Sequence, residues 1–379
     1  ALATTANQLI VYRGIQGLGA ALVLPATLSI VTNVFPRGER AKAIAVWTAV
    51  GALGIGVGPA LGGYLVDNFG WASVFWMHIP VVGAAMAGMF IVPESRDERD
   101  LGLDLPGAFF GTTGLIALVY GIIQAPEAGW LSVETLGVFA LAAGLLGAFA
   151  YVELRSDHPM LPLHFFKQKD FTGAVLTIGL IVFAMLVTFF FLTQFFQIVQ
   201  GRTALAAGLL IIPTSVAMMF SAPLSGQLMD KIGPRNLVLA MAGAMILGVM
   251  LMTGLQPDSS TISAIIPLTI FGFGAGLGMP ALTDTVMAAV PEEDAGIGSA
   301  VNDVSRELGG ALGIAMIGSV VSTFYRSNVS EALAGAPEDV IELASESVGV
   351  AAVAAQQLPP ELAGTVLAAA NQAFVDAMT

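Results

Sequence analysis

Arg13 sits in the most demanding setting in the chain. It lies in LIVYRGIQGLGAALVLPA, inside an apolar run, with Gln16 one turn further on. A guanidinium at that depth in lipid costs roughly 2.5–3.5 kcal/mol on insertion scales. It must either face a polar interior with a partner or snorkel to the near interface. It does not release its proton, but it can hold a neighbouring carboxylate below its usual range and so set when that acid is loaded. Acids occur in other apolar runs: Asp284 in MPALTDTVMAAV, and Asp303 with Arg306 and Glu307 in the run after it. These make either a proton relay or a self-neutralising structural network. The stretch FFFLTQFFQIV sets Phe189, Phe190, Phe191, Phe195 and Phe196 about Gln194 and Gln197. Aromatic faces with a few amides suit a lipophilic, cationic ligand; for most of these Phe the alternative is a stripe facing lipid. Hydrolase elbows, phosphate-cradling Gly loops and clustered metal ligands are absent from the sequence, which argues against an enzyme. With 3 His and no Cys, no metal site is expected.

The elements that must carry these groups are membrane helices. Of the 379 residues, 56% are hydrophobic and 11% charged, against about 25% charged in a soluble domain. Runs long enough to cross a bilayer, about 20 residues each, fall near 9–34, 43–66, 71–92, 105–125, 135–152, 171–199, 205–229, 237–256, 262–290 and 297–324. Short charged or turn-forming connections separate them: PRGERAK, DNFG, ESRDERD, RSDHP, DKIGPR and PEED. In GQLMDKIGPR, Gly226 opens the turn, Gly233 and Pro234 tighten it, and Asp230 has Arg235 or a helix N-terminus within reach. In VGALGIGVGPALGGY, Gly54, Gly58 and Gly62 recur every fourth residue around Pro59. That spacing gives a bare stripe on which two helix backbones can approach closely, with Pro59 at a bend.

Alternate connections share a side of the membrane. One side holds Arg37, Arg40, Lys42, Arg96, Arg99, Arg155, Lys167, Lys169, Lys231 and Arg235; the other holds Arg202 and Arg326. The excess of positive charge assigns the first side to the cytoplasm and both ends of the chain to the outside. The net charge of −13 argues against nucleic acid as a partner, and most of the acids lie in loops and the tail, as solvation. From Arg326 onward the chain is Ala-rich and acidic, without another base. It is expected to form an extracytoplasmic loop with short helices, a solvated spacer more than a partner-binding module.

Five stretches then resemble one family in the right order. LIVYRGIQGLGAALVLP is similar to the fourth-helix motif of the fourteen-helix drug:proton antiporters of the major facilitator superfamily, and GALGIGVGPALGGYL to their fifth-helix antiporter motif. GWASVFWMHIP is similar to the start of the sixth helix, with His78 where Asn is usual. GQLMDKIGPR is similar to the second copy of the cytoplasmic gating loop, and GSAVNDVSRELGGALGIAMIGSV to the penultimate helix. The resemblance implies an all-α polytopic membrane protein with the facilitator fold and about ten of fourteen helices, four to thirteen. It divides the chain into residues 1–93 from the N-terminal half, an inserted helix pair at 94–160, a C-terminal half at 161–325, and an outer loop at 326–379. Helices one to three and the last helix would be missing, as in a fragment.

The resemblance also implies site residues: Arg13 for proton coupling; Gly54, Gly58, Pro59 and Gly62 for the antiporter motif; and Gly226, Asp230, Gly233 and Arg235 for gating. The residues read by themselves add Gln16 and Asp284 to proton coupling, and Phe190, Gln194 and Gln197 as a substrate cavity. The implied activity is proton-driven efflux of small lipophilic or cationic compounds by alternating access, in a monomer of the plasma membrane that needs no cofactor beyond the proton gradient. The alternatives are a dedicated exporter of one metabolite or lipid precursor, and a non-transporting membrane receptor or assembly subunit.

Overall fold

In the lipid core a chain must satisfy its own backbone groups, which leaves helices as the way for these apolar runs to cross. The computed structural model describes residues 1–90, 104–156, 159–291 and 294–378, and among them every long element is helical. The connection ESRDERD, with Arg96 and Arg99 and the boundary at residue 94, lies outside the described residues, as do parts of RSDHP and PEED. The first half gives α1 (Ala6–Val34), α2 (Arg37–Phe69), α3 (Ala72–Trp76), α4 (His78–Gly88), α5 (Leu105–Ala128) and α6 (Val133–Glu153). The second gives α7 (Lys169–Gln194), α8 (Ala204–Met252), α9 (Thr261–Ala288) and α10 (Ala295–Ala332), followed by α11 (Glu338–Glu346), α12 (Val348–Ala355) and α13 (Pro360–Met378). Small polar residues start several of these helices by accepting from the first turn: Asp104 from Gly107 N at 2.8 Å, Ser132 from Thr135 N at 3.2 Å and Thr203 from Ala206 N at 3.2 Å.

Eight of these helices are long and apolar enough to cross a membrane. α8, at 49 residues, is too long for one crossing. It reverses at Gly233, whose φ of 75° lies in the left-handed region that only glycine enters cheaply, with Pro234 following. Its two arms are therefore the separate spans expected at 205–229 and 237–256. The span expected at 71–92 is shorter and is divided at Met77 into α3 and α4.

α9 lies between the two arms of α8. Its Gly272 and Gly276 face Thr214 and Met218 on the first arm, and Gly274 and Gly278 face Met241 on the second. A side chain on either face would separate the backbones, so glycines on both sides set the spacing of this three-helix unit. α7 meets α10 the same way: Gly309 abuts the Gly179 backbone, and Ser305 Oγ donates to Val175 O at 2.5 Å.

Residues beyond Arg326 correct the expectation of a solvated spacer. α11, α12 and α13 form a cap whose Val340, Ala344, Val348, Ala351, Val366, Ala370 and Phe374 share one buried core with Phe191, Phe195 and Phe196 at the end of α7 and with Tyr325 and Val329 of α10. Tyr325 Oη donates to Ala344 O at 2.8 Å, and Asn371 Nδ2 to Val199 O at 3.4 Å. Small side chains at helical spacing let three short helices lie close enough to cover the aromatic end of α7.

Candidate functional site

Two regions among the described residues bring together groups that the sequence singles out. The first is at the end where α1 finishes, α2 begins, α9 finishes and α10 begins. Arg306 of α10 is half-buried. Its Nη2 donates to Thr283 Oγ1 at 3.3 Å, and its guanidinium lies 5.8 Å over the Trp47 ring of α2. Trp47 in turn donates to Thr27 Oγ1 of α1 at 3.3 Å. Asp303, one turn before Arg306, feels its charge and accepts from Asn302 Nδ2 at 3.3 Å. Asp284 lies on α9 beside Thr283, and the buried Arg40 of α2 is the cation that bears on it. Asp303 Oδ2 and Arg306 Nε are buried and have no hydrogen-bond partner among the described residues. Four charges from three helices thus gather at one junction, with Arg40 buried and Asp284, Asp303 and Arg306 half-buried. Such a network is expensive to bury and can exchange a proton or rearrange when the helices move.

The second region is at the opposite end. α7 finishes in a π-helical turn, Phe195–Val199, a local widening frequent at functional sites. Beside it a cleft of about 540 Å³ opens between α5, α7, α10 and the cap. Phe190, Phe191, Tyr325 and Phe374 line it, with Gln194, Ser322 and Glu346 as its polar groups. Phe190 and Gln194, two of the three residues expected to line a cavity, both line this cleft. Gln197 does not: the π turn carries it to the exposed side, away from the cleft.

The remaining expectations divide. Arg13 is exposed, and its Nη1 donates to Gln16 Oε1 at 2.9 Å, so among the described residues its partner is an amide and not a buried acid. The pair is far along α1 from Asp284, and the three do not meet. The Gly54, Gly58 and Gly62 stripe is not the close-packed face: a Cβ at any of them would meet nothing within 4 Å among the described residues. α2 packs on the first arm of α8 through the opposite face. A Cβ on Gly63 would lie 2.5 Å from Leu205 N, and one on Gly208 would lie 2.6 Å from the Pro59 carbonyl. α2 runs unbroken through Pro59. Gly226 is buried against Ala41 and Lys42 at the start of α2, and Gly233 makes the turn, but Asp230 and Arg235 are exposed and form no ion pair with each other.

Since Asp230 is exposed and has no partner among the described residues, Asp230→Asn is expected to leave thermal unfolding of the purified protein within about 0.5 kcal/mol of the parent. A larger loss would mean that its charge is held by a contact in the resting state.

Trp47, Thr283, Tyr325 and Phe374 escaped the sequence reading, since each acquires its meaning from a helix far away in the chain. The one available signal is the 3.6-residue period of Val340, Ala344, Val348 and Ala351, which marks a buried face in the tail.

Comparison with known proteins matches residues 1–314 to the family model described as Major Facilitator Superfamily. The chain is 36% identical over 333 residues to the multidrug resistance protein Stp of Mycobacterium tuberculosis, covering 87% of this chain and 62% of that one. It is 33% identical over 382 residues to the methyl viologen resistance protein SmvA of Salmonella typhimurium (99% and 76%), and 30% identical over 376 residues to the multidrug efflux pump LfrA of Mycolicibacterium smegmatis (99% and 74%). The chain thus spans about three fifths of the length of the first of these relatives and three quarters of the other two.

Proposed function

The chain belongs to the Major Facilitator Superfamily, and from that premise we propose that it is the greater part of a multidrug-type efflux transporter, driven by protons and working by alternating access. The observation that carries this reading is the buried charge network joining α2 to α9 and α10. Charges inside membrane helices are costly and mark ion or substrate pathways, and a static receptor or assembly subunit has no use for four of them at a junction between halves. The named activities of Stp, SmvA and LfrA point the same way.

In this reading α1 and α2 move against α9 and α10 as the transporter changes the side on which it is open. Asp284 and Asp303 are the acids of this chain placed to take a proton as Arg40 and Arg306 approach or withdraw. Arg13 and Gln16 supply a fixed positive charge on α1. The Gly54, Gly58 and Gly62 face of α2 stays bare for a close neighbour in the outer gate, and residues 226–235 form the inner turn. The protein works as a monomer in the plasma membrane. Uptake of a fluorescent cationic dye into inverted vesicles carrying the full-length protein tests the reading. Dye should enter when a proton gradient is imposed and stop when it is collapsed; dye movement indifferent to the gradient would refute proton coupling.

The orientation has its own test, made clean by a chain without cysteine. Cys introduced at Gly38 or Lys167 should resist an impermeant thiol reagent in intact cells, and Cys at Ser259 or Ser345 should be labelled, because Lys and Arg gather on the cytoplasmic side. Labelling at Gly38 would reverse the topology.

A further inference from the structure

The outer cleft is chemically unlike the charged junction at the other end. Its walls are aromatic and aliphatic, its volume of about 540 Å³ is that of a drug-sized site, and the residues lining it include no Lys or Arg. Its ionisable lining groups are the Tyr325 phenol, engaged with Ala344 O, and the Glu346 carboxylate. Glu346 is the last residue of α11 and enters the cleft from the cap, beside Ser347 and Val348. Gln194 and Ser322 add uncharged polar atoms from α7 and α10.

Beyond Arg326 the sequence carries Glu331, Glu338, Asp339, Glu342, Glu346, Glu361 and Asp376 without a base. The cap therefore places a negative field over the cleft, which raises the local concentration of cations there. Aromatic faces attract a cation through their quadrupoles, and a single carboxylate at the rim neutralises one positive charge without demanding full desolvation. A neutral ligand would draw on the walls alone, and an anion would be repelled.

We propose that this cleft is a binding site for planar, lipophilic monocations on the extracytoplasmic side, with Glu346 of the cap as its charge-selecting residue. This rests on the efflux reading and extends it, since the cap becomes part of substrate handling rather than a surface loop. A cation leaving the membrane-embedded path on the outer side is held between the Phe faces and the carboxylate before release.

The test is equilibrium binding to the purified full-length protein in nanodiscs of neutral lipid, with ethidium as the cationic probe and N-phenyl-1-naphthylamine as the neutral one. Glu346→Gln should weaken ethidium binding by about 5- to 10-fold, the size of one partly exposed charge contact, and leave the neutral probe unchanged. Ser322→Trp, which fills the cleft from α10, should weaken both. Equal ethidium affinity in the parent and both variants would overturn the proposal, as would equal loss of both probes in Glu346→Gln, which would mark the carboxylate as structural. Displacement of ethidium by uncharged phospholipid, at one affinity in parent and Glu346→Gln, would identify the cleft as a lipid seat and also overturn it. Proton-driven dye uptake in vesicles is measured alongside. Uptake that persists while the cleft fails leaves the efflux reading standing; loss of uptake with the cleft binding as expected refutes that reading alone.

Discussion

Gly63→Leu should abolish the assembled fold, whereas Gly58→Ala, five residues away on the same helix, should leave it intact. On the α8-facing side of α2, the first side-chain carbon at position 63 falls 2.5 Å from Leu205 N and 2.6 Å from Ala204 C. The obstacle is backbone at the start of α8, which no rotamer change moves aside. Overpacking costs about 1–3 kcal/mol where side chains can yield; against main chain the upper end or beyond is expected, and the leucine adds three further carbons. Gly208→Leu should behave alike, because that site abuts the carbonyl of Pro59 from the other helix. Purification in mild detergent with size-exclusion chromatography and thermal unfolding reads the outcome. A monodisperse Gly63→Leu protein melting with the parent would show that α2 and α8 do not meet at this face, and that the stripe of Gly54, Gly58 and Gly62 has to be reconsidered as the packed one.

The second large effect is expected at Arg306. Arg306→Leu removes the bond to Thr283 and the contact with Trp47, and leaves Asp303 buried with Asn302 as its remaining donor. Breaking a buried charge pair by removing one member costs about 3–5 kcal/mol when the partners touch. Here they interact across a gap, and about 2–3 kcal/mol is expected, near the range for a lost charged hydrogen bond. Asp303→Asn in the same protein should recover at least half of that, since the second change removes the carboxylate left without its cation. The double-mutant cycle measures the coupling, expected at about 1–2 kcal/mol and of opposite sign to the single costs. Additive losses would mean that Asp303 and Arg306 act independently and that the junction is not one network.

The spans were legible because their signal is local. Runs of about 20 apolar residues between charged turns need no knowledge of the partner, and even the reversal at Gly233 is written in the GP dipeptide. The face by which a span packs is not local. Residues 50–64 carry two sets of glycines on different sides of α2, and only the first arm of α8, far along the chain, decides the matter: Ser215 covers Gly56, and Ala204 and Leu205 cover Gly63. Gln197 departs from its expected place for a related reason. A steady α-helical turn would keep it near Gln194, but the π turn at Phe195–Val199 changes the phase of the helix there. The charged groups were visible one by one, but the Trp47 ring that ties Arg306 to α2 was not, since nothing in an aromatic residue announces a cation on another helix. In the cap, composition and pattern point apart: alanine and acid suggest solvent exposure, the spacing of the small residues suggests burial, and the fold follows the spacing.

The placing of α9 between the two arms of α8 also sets a timetable. These three passes follow one another directly in the chain, so their contacts close short loops, and structures rich in near-neighbour contacts form fastest. α9 has no seat until both arms are in the bilayer, and once it arrives the three become a settled core before synthesis reaches the cap. The meeting of α2 with α8 spans a far longer interval of sequence and belongs to a later stage. A defect at Gly274 should therefore stall the newborn protein early and expose it to membrane proteases, while one at Gly63 should let the core form and fail only when the halves are joined.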